Sequence, residues 1–113
     1  MLILLNFVVE VYKYVNMKSR FDTDFLNTAT ETLRSIAHPI RIAIIDLLHH
    51  QKELSVTQTY EALGIEQAIA SHHLRILKDK RVVSVNRSGK NSFYTLKNEN
   101  FHTIINAMEL IIK

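Results

Sequence analysis

Between Val56 and Asp79 the chain reads VTQTYEALGIEQAIASHHLRILKD, and a single glycine sets what that stretch can become. Gly64 can enter the left-handed conformation that ends a helix without a Cβ clash, so the stretch is read as two short helices meeting at a tight turn. The spacing predicts a first helix over Thr57 to Leu63 and a second over Glu66 to Lys78. Ile65 is placed to plug the space between them. Glu66 starts the second helix where a negative charge suits the helix dipole.

The second helix has two sides. Ala70, His73, Leu74 and Leu77 recur at three- and four-residue steps and share a face that turns inward. Gln67, Ala68, Ser71, His72, Arg75 and Lys78 lie opposite. This outer face is compact and uncharged at its start and basic toward its end. A helix that enters a DNA major groove needs that arrangement: short polar side chains read base edges and the cations meet phosphates. An ordinary solvated helix can carry the same pattern, and two-helix turns of this size occur in many proteins. The surroundings must therefore decide.

At 113 residues the chain is long enough for a modest core and small enough to gain from dimerisation. The formal charge of +3 and the pI near 9.3 are mild for a nucleic-acid binder. The distribution is more telling. Arg75, Lys78, Lys80, Arg81, Arg87 and Lys90 fall in one short stretch with only Asp79 against them, which favours a polyanionic partner. The sequence has no cysteine, which excludes disulfides, thiolate metal sites and cysteine redox sensing and is compatible with a cytoplasmic location. Two glycines and one proline leave little room for flexible linkers, and no internal repeat or low-complexity segment is present.

Residues 1–16, MLILLNFVVEVYKYVN, form an apolar extension ahead of a domain over 17–113. The run has neither the positive start nor the small-residue cleavage site of a secretory signal. It is also too short for a membrane span, and Asn6, Glu10 and Lys13 interrupt it. It reads as an added packed element, as a weak membrane-surface anchor, or as a start-site artefact with Met17 the true first residue. No stable membrane association is expected.

A helix is expected over Asp24 to Ala37, capped by Asp22 or Asp24, with Phe25 or Leu26, Ala29, Leu33 and Ile36 as its apolar stripe. His38-Pro39 breaks it, and proline suits the first turn of the next helix. That helix runs from Ile40 to His50, with Ile40, Ala43, Ile44, Leu47 and Leu48 inward and Ile42 and Ile45 widening the buried surface. Ser55 or Thr57 is the expected cap of the two-helix unit. Beyond Asp79 the period changes. Val82, Val83 and Val85, then Ser88-Gly89-Lys90-Asn91, then Ser92 to Leu96 signal a β-hairpin. Its tip carries Arg87, Lys90 and Asn91. A basic hairpin directly after such a helix is read as a wing reaching phosphates or the minor groove; a plain edge hairpin over the core is the alternative. A last helix, capped by Asn98, carries Phe101, Ile104, Ile105, Met108, Leu110, Ile111 and Ile112. That is more apolar surface than a small domain can cover, and such a surplus marks a subunit interface. A two-fold dimer is expected on this helix, with help from the Asp24–Ala37 helix.

Several runs, in order, resemble the ArsR/SmtB family of winged-helix repressors. They are Leu33 to Leu48 with its Ala-His-Pro-x-Arg core, Glu53-Leu-Ser-Val, Ala62-Leu-Gly-Ile, Ala70-Ser-His-His-Leu-Arg-Ile-Leu77 and Gly89-Lys-Asn-Ser-Phe-Tyr-Thr-Leu96. The resemblance covers about residues 24 to 112. It implies a mainly α fold with a small β-hairpin, a winged helix-turn-helix of five helices plus wing. It also implies a homodimer and operator binding that a ligand relieves. Gln67, Ala68, Ser71 and His72 occupy the family's groove-facing positions, His73 its semi-buried histidine, and Arg87 and Lys90 its wing. Tyr60 departs from the small residue common there, so the two helices are splayed or Tyr60 points outward. The cysteine-containing metal site of some members is absent near Leu54-Ser55-Val56. The last-helix site of others needs an Asp-x-His pair, where this chain has Asn100-Phe101-His102.

The remaining histidines carry no expected chemistry. His49 and His50 are adjacent on a helix and point about a hundred degrees apart, so one ion would rarely take both. His38 is read as a capping or packing residue. Ser71 beside His72 or His73 lacks an orienting acid and an oxyanion hole. There is no phosphate-binding glycine loop, and no enzyme, cofactor or metal is expected.

The sequence thus points to a homodimeric transcriptional regulator of double-stranded operator DNA, a repressor released by an unknown inducer. The DNA-contacting set is Thr57, Gln67, Ala68, Ser71, His72, Arg75, Lys78, Arg87, Lys90 and Asn91. The dimer set is Phe101, Ile104, Ile105, Met108, Ile111 and Ile112. The rivals are a winged-helix module that binds protein through the Tyr60 surface or the last helix, and a regulator tethered to the membrane by residues 1–16.

Overall fold

The structure, a computed structural model, describes residues 16–113. The readings of the apolar opening run fall outside the described residues. The chain divides into two compact units, Met1–Thr32 and Leu33–Lys113. Helix α1 (Thr23–Ile36) begins in the first. Its cap is Asp22, whose Oδ1 accepts the Phe25 N–H at 2.7 Å and satisfies one of the donors a helix start leaves open. Phe25 stacks on Phe21 with centroids 4.7 Å apart, and the Arg20 guanidinium lies 3.9 Å over the Phe21 ring.

The second unit is built around α2 (Pro39–Gln51). The chain enters it through His38, whose Nδ1 accepts the Ile40 N–H at 3.1 Å, with Pro39 in the first turn as the sequence implied. Ile44, Ile45 and Leu48 of α2 are fully buried. Each fully buried aliphatic side chain of this size contributes about 1.5–3 kcal/mol, so this helix anchors the core. Ile45 is therefore central rather than peripheral, while Ile42 is 40% exposed.

Strand β1 (Leu54–Ser55) follows, then α3 (Val56–Leu63) and α4 (Gln67–Asp79). Ser55 caps α3 in a reciprocal box: its Oγ accepts the Gln58 N–H at 3.1 Å and the Gln58 side chain accepts the Ser55 N–H at 2.9 Å. Gly64 ends α3 at φ +65°, ψ +35°, the left-handed conformation its lack of a Cβ permits. Glu66 sits at the cap position of α4 without a side-chain cap bond; its carbonyl accepts the Ile69 and Ala70 N–H groups, both at 3.1 Å. The inner face of α4 is Ala70, His73, Leu74 and Leu77, all buried, as the three- and four-residue spacing requires.

Strands β2 (Val83–Ser88) and β3 (Asn91–Leu96) pair antiparallel, from Val83 with Leu96 to Ser88 with Asn91. Gly89 takes the first central turn position at φ +62°, as two-residue hairpin turns of the II′ kind require. The two-residue β1 has no signature in the sequence pattern. It adds to the free edge of β3, Leu54 opposite Tyr94 and Ser55 opposite Phe93, giving the order β1-β3-β2. Helix α5 (Asn100–Ile112) closes the fold. Asn98 accepts the Asn100 N–H at 2.8 Å, but Glu99 occupies the cap position and its carboxylate turns away to His49. The described residues thus form five helices and a small three-stranded sheet.

Candidate DNA-binding surface and subunit face

Burial of Ala70, His73, Leu74 and Leu77 fixes which way α4 faces, and everything opposite follows. Gln67, Ala68, Ser71, His72, Arg75 and Lys78 are all exposed, as is Thr57 at the start of α3. Across the turn, Arg87, Lys90 and Asn91 are exposed on the hairpin. The helix end and hairpin are joined by a short segment that Val82 pins into the core: its N–H donates to the Leu77 carbonyl at 2.8 Å and it is fully buried. Arg81 takes φ +61° there and is exposed, as is Lys80, so both extend the basic rim. Among the described residues none of Arg75, Lys78, Lys80, Arg81, Arg87 and Lys90 is in an ion pair. These charges are available to an external anion, whereas the acids Asp46, Glu99 and Glu109 are engaged elsewhere.

His72 and His73 separate as the helix geometry demands. The His72 ring is exposed. The His73 ring is buried and lies 4.2 Å from His38, and burial holds its pKa below the ordinary imidazole value.

The last helix has two kinds of apolar residue. Phe101, Ile104 and Ile105 are half-buried and pack on this chain's own core, so they serve the fold as well as any partner. Met108, Leu110, Ile111 and Ile112 are 48%, 76%, 77% and 74% exposed. With Leu33, Ile36 and Ile42 the helix bounds an apolar groove of about 440 Å³. Leu33, 54% exposed at the end of α1, and Ile42, 40% exposed, line the same groove as the last helix. No described helix is long and apolar enough to cross a membrane.

Residues 38–85 match the family described as "Bacterial regulatory protein, arsR family". The transcriptional repressor PagR of Bacillus anthracis is 34% identical over 86 residues, which cover 76% of this chain and 86% of PagR. The chain belongs to the ArsR family of bacterial regulatory proteins. The crystal structure of PagR matches it with a TM-score of 0.69 at 32% identity, over 77% of this chain and 99% of PagR. The HTH-type transcriptional repressor SmtB of Mycobacterium tuberculosis is 36% identical over 86 residues, 75% of this chain, and the chain spans 63% of SmtB's length. The homodimeric winged helix-turn-helix domain of Mb0332 from Mycobacterium bovis matches with a TM-score of 0.69 at 24% identity, over 84% of this chain and 87% of that one. The fold is the winged helix-turn-helix of ArsR-family proteins, which are transcriptional regulators and not enzymes.

Proposed function

We propose that this ArsR-family chain is a homodimeric repressor that acts in the cytoplasm on operator DNA and leaves it when an inducer binds. The observation that carries the reading is the exposure of Gln67, Ala68, Ser71, His72, Arg75 and Lys78 on α4 and of Arg87, Lys90 and Asn91 on the hairpin, with none of these cations in an ion pair among the described residues. In this reading Gln67 bonds adenine in bidentate fashion and Ser71 and His72 bond base edges. Ala68 lets the helix approach closely, and Thr57, Arg75, Lys78, Arg87, Lys90 and Asn91 hold phosphates. A second copy seats on the groove beside Met108 and Ile112, so that two reading helices meet half-sites one helical turn apart or a multiple of it. If roughly six to ten phosphates are neutralised, affinity falls about 10³- to 10⁵-fold between 50 and 200 mM salt.

The reading is tested by Arg87→Glu with Lys90→Glu. Loss of DNA binding in a mobility-shift assay with an intact dimer supports it. Unchanged DNA binding supports instead a protein-interaction module whose basic patch is incidental.

A further inference from the structure

Where α2 ends and α5 begins, six titratable side chains converge. Oδ1 of Asp46 lies 2.9 Å from Nε2 of His102 and 3.6 Å from Nδ1 of His50. The ring of His102 is stacked on that of His49, centroids 3.7 Å apart and planes 4° from parallel. His49 is held in turn through Nδ1, 2.8 Å from Oε2 of Glu99, and Lys52 reaches the other Glu99 oxygen at 4.0 Å. We propose that Asp46, His50 and His102 form a binding site for a divalent first-row metal ion.

Three observations carry this. The first is distance: one ligand atom from each of the three residues lies within 4.8 Å of the others. Zinc binds nitrogen and carboxylate oxygen at about 2.0–2.2 Å, so two ligands of one tetrahedral ion stand about 3.3–3.5 Å apart. The two separations from Asp46 bracket that value. The third ligand needs a rotation of His50, whose side chain is 62% exposed and whose Nδ1 gives up its hydrogen bond to the Asp46 carbonyl, 2.8 Å away, in exchange for the ion. The second is orientation. A metal-binding imidazole works best when other groups fix its ring, and His102 is fixed by a stacked His49 that Glu99 itself anchors. The third is helical register: Asp46 and His50 stand four apart and share a face of α2, so that face presents both ligands to His102 together.

The chemistry of the set narrows the ion. Two imidazoles and one carboxylate suit zinc, cobalt or nickel rather than calcium or magnesium, which take oxygen ligands. With three protein ligands, at least one coordination position stays open. The ion replaces the proton that His102 Nε2 now donates to Asp46. The set is not the last-helix pair considered from the sequence, since the carboxylate comes from Asp46 on α2 where Asn100 offers none. It also lies within one subunit. Its place suggests a role: an ion clamping the first turn of α5 to α2 fixes the direction in which Met108, Ile111 and Ile112 project. The site stands whether or not α4 binds DNA.

The test is titration of the chelator-treated full-length protein with cobalt(II), followed by its visible d–d absorption and by displacement with zinc. The expected result is saturation at one cobalt per chain, with affinity lowered about tenfold or more in His102→Ala, His50→Ala and Asp46→Asn. Asp46→Asn keeps a hydrogen-bonding group in place, so a variant with unchanged circular dichroism and lost cobalt binding isolates ligation from folding. His72→Ala, on the outer face of α4, retains full binding. Absence of d–d bands, or equal binding by all the folded variants, overturns the proposal.

Discussion

The imidazole of His73, on the buried face of α4, lies 4.2 Å from that of His38 at the start of α2, the two planes inclined by 36°. His38 commits its Nδ1 to the Ile40 N–H, while Nδ1 of His73 has no hydrogen-bond partner among the described residues. Burial first, and then the positive charge that His38, His72 and Arg41 can carry, hold the His73 pKa below its ordinary 6.5. A depressed imidazole pKa means that the unfolded chain takes up the proton first as pH falls. Stability is thus full above about pH 6.5 and declines below it until the folded-state pKa is passed. Urea midpoints at neutral and mildly acidic pH should show this fall in the parent and a smaller one in His73→Gln. Equal acid sensitivity in both would refute the assignment.

Gln67 and Lys78 lie on the same face of α4 and should behave differently. Gln67→Ala should lose about 1–3 kcal/mol of discrimination at one base pair of each half-site. Lys78→Ala should weaken binding to every sequence alike and lower the salt slope by about one. Competition binding on a set of single-base operator variants separates the two, and an identical profile for both variants would contradict the division of labour.

The exposed end of α5 predicts a separable assembly defect. Met108→Glu with Ile112→Glu puts charge on side chains that are 48% and 74% exposed, so the single chain should keep its helicity. Sedimentation should then report a monomer, and DNA affinity should fall with it. A variant that stays dimeric would move the interface elsewhere.

Lys52 offers a stability gain. Its φ of +72° and ψ of −48° place it at the centre of a γ-turn, with the Glu53 N–H donating to the Gln51 carbonyl at 2.9 Å. A residue with a Cβ costs about 1 kcal/mol in left-handed backbone, whereas glycine avoids the clash. Removing the Lys52 side chain also breaks its ion pair with Glu99, which spans 4.0 Å between exposed groups and is worth little. Lys52→Gly should therefore raise the thermal midpoint by a few degrees, since about 1 kcal/mol moves it about 4–8 °C in a domain near this size. A lowered midpoint would show that the turn is not strained.

What could be read from the sequence was what periodicity and local chemistry dictate. The spacing of Ala70, His73, Leu74 and Leu77 carries the facing of α4. Gly64, Pro39 and Gly89 carry the breaks, because each acts through its own backbone. Strand β1 was not legible, since two residues have no period and Leu54 becomes a strand only by meeting Tyr94, forty positions on. The meeting of Asp46 with His102 is equally non-local. Adjacent His49 and His50 drew attention to each other, while the informative interval was the four-residue step from Asp46 to His50. The burial of Ile45 over Ile42 likewise depends on which neighbours arrive, not on the helix alone.

Ser55 is at once a strand residue opposite Phe93 and the residue that opens α3. The hairpin and the two-helix unit are consequently yoked at one amino acid, and neither can swing without dragging the other. In the function proposed above, each subunit meets the double helix as a stiff two-pronged die, and release means respacing two such dies rather than bending either.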